Sequence, residues 1–84
     1  MKSVYTDRYS SFLSLIIAAR KEAHVTQQEL AEQLGKPQSY VSKYERGERR
    51  LDVIEFLDIV EALGVDPRPL LEELQAVRPK KGGA

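Results

Sequence analysis

Residues 26–47 read TQQELAEQLGKPQSYVSKYERG, and this stretch decides the fold. Thr26 followed by Glu29 is a capping box, in which each side chain satisfies a backbone N–H that the first turn of a helix leaves unpaired. A helix therefore begins at Gln27. Leu30, Ala31 and Leu34 then recur at helical spacing, and Gly35 stands where the helix needs a residue tolerant of positive φ to end. Gly35, Lys36 and Pro37 make the turn. Proline, with no N–H and a fixed φ, suits the approach to the next helix and not its interior. The second helix runs from about Gln38 to Glu45, with Val41 and Tyr44 facing back onto the first and Gln38, Ser39, Ser42 and Lys43 facing outward.

Two short amphipathic helices joined by such a turn form a unit that presents its second helix to a DNA major groove. The blander alternative is a helical hairpin with a solvated polar face. The small Ala31 at a tight crossing, Gly35 in the turn and apolar Val41 and Tyr44 fall at mutually consistent offsets, which favours the DNA-reading unit. Gln and Lys suit base edges, Ser bonds either a base or a phosphate, and none of them needs burial. Lys36 precedes the second helix and Arg46, Arg49 and Arg50 follow it. They read as phosphate anchors, the alternative being ordinary surface charges, with Arg49 or Arg50 paired to Glu48 or Asp52. Tyr40 either lies along the sugar-phosphate backbone and donates its hydroxyl to a phosphate, or is half-buried against the following helix.

The stretches TQQELAEQLG, SYVSKYERGERRLD and EALGVDP resemble the phage repressor and Cro family of helix-turn-helix regulators, also called the Xre family, over roughly residues 12–75. The resemblance implies an all-α, five-helix, lambda-repressor-like domain whose second and third helices form the DNA-reading unit. It implies that Gln27 holds a phosphate and that Gln38, Ser39 and Lys43, with Ser42 beside them, contact bases. It also implies a charged pair between Arg20 and Glu45, linking the first helix to the end of the third. Such a bidentate pair would fix the angle of the recognition helix, while desolvation offsets most of its attraction. Two positions depart from the family pattern: Pro37 replaces a common capping Ser or Thr, and His24 stands where a Gly commonly ends the first helix. Histidine is among the residues enriched at left-handed positions, so the second departure is tolerable.

A chain of 84 residues predicts one domain, with a core that buries only about 60% of the unfolded surface. Dimerisation would help it. The sequence has no Cys, which excludes disulfides and thiolate metal sites, and no signal peptide or long apolar run, which predicts a cytoplasmic chain with no membrane partner. Its 13 basic and 13 acidic residues balance overall but not locally. Residues 36–50 carry five basic and two acidic side chains, residues 51–76 one basic and seven acidic, and residues 77–84 three basic and none acidic. This distribution predicts a positive face for DNA and an acidic opposite side, which orients approach more than it raises affinity.

Outside the central unit, residues 1–5 read as an irregular arm and 78–84 as a flexible basic tail, leaving residues 6–77 as the domain. A first helix opens at Thr6 or Asp7 and reaches about Ala23, with Phe12, Ile16 and Ala19 as its core stripe. Leu13, Leu15 and Ile17 widen its apolar arc, so part of it is either covered by the C-terminal segment or held for a partner. Asp52 and Glu55 form another capping box, opening a helix to Leu63 with a Phe56, Ile59, Val60 and Leu63 stripe that ends at Gly64. The carboxylates at 52, 55, 58 and 61 read as a solvated face. Asp66 and Pro67 open a fifth helix to about Val77, with Leu70, Leu71, Leu74 and Val77 along one side.

No catalytic arrangement emerges. His24 is the sole histidine, has no Asp or Cys partner and no metal-ligand spacing, and the glycines are isolated helix stops. The expectation is a non-enzymatic, cofactor-free, metal-free regulator with no small-molecule effector. It binds an inverted-repeat operator as a homodimer through Leu71, Leu74 and Val77 and acts as a repressor. A chain of this length leaves no room for a sensor domain. The alternative is an antitoxin that neutralises a toxin and regulates its own gene through DNA binding.

Overall fold

A computed structural model describes residues 7–77, so the arm expected at 1–5 and the tail expected at 78–84 lie outside the described residues. Five helices follow one another: α1 (Asp7–Glu22), α2 (Gln27–Leu34), α3 (Gln38–Glu45), α4 (Val53–Leu63) and α5 (Pro67–Ala76). The described residues contain no strand. The fold is all-α, as the sequence implies.

Local chemistry sets the boundaries. At α2 the Thr26 hydroxyl accepts the Glu29 N–H at 3.0 Å while the Glu29 carboxylate accepts the Thr26 N–H at 2.9 Å. Asp52 and Glu55 repeat this reciprocal pair at α4, at 2.8 and 2.9 Å. Gly35 ends α2 at φ +70°, letting the Lys36 N–H reach back to the Ala31 carbonyl at 2.9 Å. A Cβ there would meet nothing within 4 Å, so glycine is required by the backbone and not by space. His24 performs the same service after α1 at φ +60°, the left-handed conformation that the sequence demands of it.

Ile16, Leu30, Val41, Tyr44 and Ile59, one or more from each of the first four helices, form the most deeply buried layer. Helix α2 packs on both α3 and α4, and α1 packs on α5, α3 and α4. Ala31 is 1% exposed, which is what a close approach of α2 to its neighbours requires. The recognition helix is thus held from behind by Val41 and Tyr44 and carries no core residue on its front.

Helix α1 corrects the expected stripe. Tyr9 and Leu13 join Ile16 and Ala19 in burial, whereas Phe12 is half-buried. Tyr9 earns its place through both ends: its ring lies 5.5 Å from Phe12 and its hydroxyl accepts the Leu51 N–H at 3.2 Å. Leu15 and Ile17 are half-buried, and Leu15 lies beside Leu70 and Glu73 of α5. Of the two alternatives for the apolar arc, cover by the C-terminal segment is the one observed. The exposed large apolar side chains instead sit on α4 and α5: Val53 at 64%, Ile54 at 62%, Leu57 at 42% and Leu71 at 44%.

Candidate nucleic-acid interface

The outer face of α3 presents Gln38, Ser39 and Lys43 fully to solvent. Ser42 is half-buried, and its hydroxyl turns back to donate to the Ser39 carbonyl at 3.3 Å. Pro37 occupies the N-cap with φ −71° and ψ 157° and offers no side-chain hydrogen bond, and the first turn holds no acidic residue. The positive end of the helix dipole therefore meets no carboxylate from its own first turn.

A continuous set of hydrogen bonds positions that face. Arg20, only 8% exposed, donates from Nε and Nη2 to the two oxygens of Glu45 at 2.7 and 3.0 Å, and from Nη1 to the Val25 carbonyl at 2.9 Å. Pairing with Glu45 raises the guanidinium pKa against the opposing pull of burial, so the charge stays on. Glu45 Oε1 also accepts from Gln27 Nε2 at 2.9 Å. Because a carboxylate can only accept, this contact fixes which end of the Gln27 amide points inward. Gln27 Oε1 is left to accept from Gln38 Nε2 at 3.4 Å. Arg20, Glu45, Gln27 and Gln38 thus tie α1, α2 and both ends of α3 together.

On α3 itself, the half-buried Tyr40 ring has Lys36 Nζ 5.3 Å and the Arg49 guanidinium 5.0 Å from its centroid, with Tyr44 edge-on at 5.6 Å. Burial first, then the Glu55 carboxylate, raises the Tyr40 pKa. Its hydroxyl remains a donor at neutral pH. The ring is half-buried as one alternative held, and two of the expected phosphate anchors stand against it.

The remaining arginines make contacts within the chain itself. Arg46 chelates Glu48 at 3.0 and 3.1 Å, and Arg49 chelates Glu55 at 2.7 and 3.2 Å. These arginines depress both carboxyl pKa values below the usual carboxylate range. Arg50 lies over the Tyr9 ring at 4.0 Å. Gly47, at φ +80°, folds the chain back after α3 and brings Arg46 and Glu48 side by side, while Arg49 reaches the third residue of α4. The pairing with Glu48 or Asp52 that stood as the alternative for Arg49 is replaced by Glu55. Glu55 is consequently no idle member of a solvated face, since it both caps α4 and pairs with Arg49.

The expected dimer residues do not share one patch. Leu71 and Leu74 line an open groove with Tyr9, Phe12, Val53 and Phe56. Val77 lies on the other flank beside Ser10, Ser14 and Leu15. The reason is helical periodicity: at about 100° per residue, Val77 lies about 120° around the α5 axis from Leu71. Sequence reading missed Val53, Ile54 and Leu57, although their clustering in the first turns of α4 was a signal.

A helix held from behind, with polar residues in front and cations at its flanks, defines a helix-turn-helix DNA-binding domain. The family described as helix-turn-helix matches residues 16–70. An XRE-family-like protein from Pseudomonas syringae pv. tomato str. DC3000 is similar at 54% identity, with a TM-score of 0.80 over 86% of this chain and 88% of that one. The wild-type restriction-modification controller protein C.Esp1396I is similar at 27% identity, with a TM-score of 0.75 over 84% of this chain and 92% of that one. ClgR, the clp gene regulator from C. glutamicum, shares the fold at 23% identity, with a TM-score of 0.72 over 87% of this chain and 95% of that one. No curated protein matches. The chain belongs to the XRE family of helix-turn-helix proteins, and it is a DNA-binding transcription regulator.

Proposed function

We propose that this regulator binds an inverted-repeat operator as a homodimer and represses transcription by occupying it. Gln38, Ser39, Ser42 and Lys43 are its base-reading residues, and Gln27, Lys36, Tyr40, Arg46, Arg49 and Arg50 hold phosphates. The observation that carries this reading is the buried Arg20–Glu45 pair, whose shared carboxylate oxygen fixes Gln27 and through it Gln38 at the start of α3. A solvated hairpin has no use for such a device. A reading helix does, because base contacts depend on its angle and register.

The dimer forms around the exposed apolar residues of α4 and α5, with Val53, Ile54 and Leu57 added to Leu71 and Leu74. A two-fold arrangement that sets the recognition helices about 34 to 36 Å apart spans one turn of DNA. Selection of bound duplexes from a random pool tests this reading. It should return inverted repeats with half-sites one helical turn apart, whereas single or direct-repeat sites would oppose it.

A second reading draws on the same apolar residues. In it the patch receives a different protein, as in an antitoxin bound to its toxin, and DNA binding serves autoregulation. Light scattering on the purified chain separates the two: a homodimer supports self-association, and a monomer supports a missing partner.

A further inference from the structure

Arg46 and Arg49 flank α3 where a duplex backbone would pass, yet each is chelated by a carboxylate of its own chain. Glu48 is the clearer case. It reaches Arg46 through two bonds of 3.0 and 3.1 Å across a two-residue step, and both side chains are more than half exposed. A carboxylate so placed offers the guanidinium the same planar, bidentate acceptor that a phosphate does. It sits next to Arg46 in every state of the molecule, whereas a phosphate must be brought there.

We propose that Glu48 is an intramolecular competitor at the DNA interface: it occupies Arg46 as a stand-in for phosphate, so that only DNA docked closely by base contacts on α3 recruits that arginine, and does so at the cost of parting the pair. Glu55 acts likewise on Arg49, with its cap on α4 as a second duty. The inference rests on the DNA-binding reading above. Random DNA is held almost entirely through its phosphates, so withholding a cation weakens that complex, while the operator complex is weakened by the cost of parting Arg46 from Glu48. In the operator complex, Gln38 and Lys43 hold the backbone near enough for exchange, and Arg46 moves from carboxylate to phosphate. Exposed pairs of this kind are weak enough for such an exchange to occur readily.

The test measures affinity by fluorescence anisotropy across a salt series, on the tightest duplex selected from a random pool and on bulk random-sequence duplex of equal length. Glu48→Gln should tighten binding to random DNA by up to about fivefold, the upper limit set by one exposed ion pair. It should also steepen the salt dependence there by about one unit of slope, one more phosphate being neutralised. Affinity for the selected duplex should rise by at least as much, because Arg46 no longer has a pair to leave, but its salt slope should not change, since Arg46 already reaches phosphate in that complex. Glu72→Gln, the same change of charge at an exposed site on α5, should leave both unchanged. In an Arg46→Ala background, Glu48→Gln should have no effect.

A gain that survives Arg46→Ala, or a gain on random DNA with no change in salt slope, would mean that Glu48 merely repels DNA and would overturn the proposal. So would an unchanged affinity for random DNA. A wild-type chain that binds no duplex at low salt would overturn the DNA-binding reading itself, a result distinct from any of these.

Discussion

Gln27 on α2 donates to the same oxygen of Glu45, at the end of α3, that Arg20 of α1 holds from the other side. One carboxylate therefore sets the relative placement of three helices and aims an amide at the start of the recognition helix. Side chains of Arg20 and Glu45 are 10% and 6% exposed, so solvent screens this pair far less than the surface pairs.

That burial makes the pair asymmetric under mutation. Arg20→Met strands the Glu45 carboxylate with Gln27 as its one side-chain partner, and breaking a buried pair costs about 3 kcal/mol. Replacing both members, Arg20→Met with Glu45→Leu, should restore most of that stability because no buried charge remains. Operator affinity should stay low in the double variant, since Gln27 has lost its acceptor. Urea denaturation alongside operator binding checks this. Recovery of both stability and affinity would reduce the pair to a packing element.

His24 offers a prediction about stability. A left-handed residue other than glycine costs about 1 to 2 kcal/mol, against about 0.5 to 1 kcal/mol of extra unfolded-chain entropy for glycine. At φ +60° and exposed, His24→Gly should stabilise the domain by about 0.5 to 1 kcal/mol on this difference. DNA affinity should not change. A lower urea midpoint would show that the imidazole makes a contact worth more than the strain.

The exposed apolar side chains of α4 and α5 predict the effect of a charge placed among them. Ile54→Glu and Leu71→Glu alter side chains that are 62% and 44% exposed, so neither should unfold the monomer. Each should convert a dimer to monomers in light scattering and abolish cooperative operator binding. Dimers that persist in both variants would move the interface to another surface.

Much of this architecture was legible because its signals are local. Thr26 with Glu29, Gly35, Pro37, Asp52 with Glu55 and Gly64 each act within a turn of where they stand, and α2, α3 and α4 have the expected bounds. The link between Arg20 and Glu45 was legible only through family resemblance, since nothing local joins residues 25 positions apart. What escaped was set by tertiary placement. Tyr9 reads as a polar-tipped residue near a terminus, and its burial depends on the Leu51 N–H arriving at its hydroxyl. The Arg46–Glu48 and Arg49–Glu55 pairs depend on how the loop after Gly47 folds back onto α4. Helical periodicity identifies the buried side of α4 through Phe56, Ile59 and Val60, but it does not say that Val53, Ile54 and Leu57 remain uncovered.

The central claim is that α3 reads bases while its flanks only position the duplex. Affinity for every single-base variant of a selected operator half-site, at several salt concentrations, tests it most directly. Gln38 stands exposed at the start of α3 and is held by Gln27. Its amide suits adenine N6 and N7, and Lys43, one turn further on, suits guanine O6 and N7. Gln38→Ala and Lys43→Ala should each cost about 1 to 3 kcal/mol on the operator and flatten the preference at one base pair per half-site. Arg46→Ala should weaken all operator variants alike and lower the salt slope by about one unit. If Gln38→Ala instead lowers affinity uniformly across every base variant, α3 anchors the duplex without reading it, and the central claim fails.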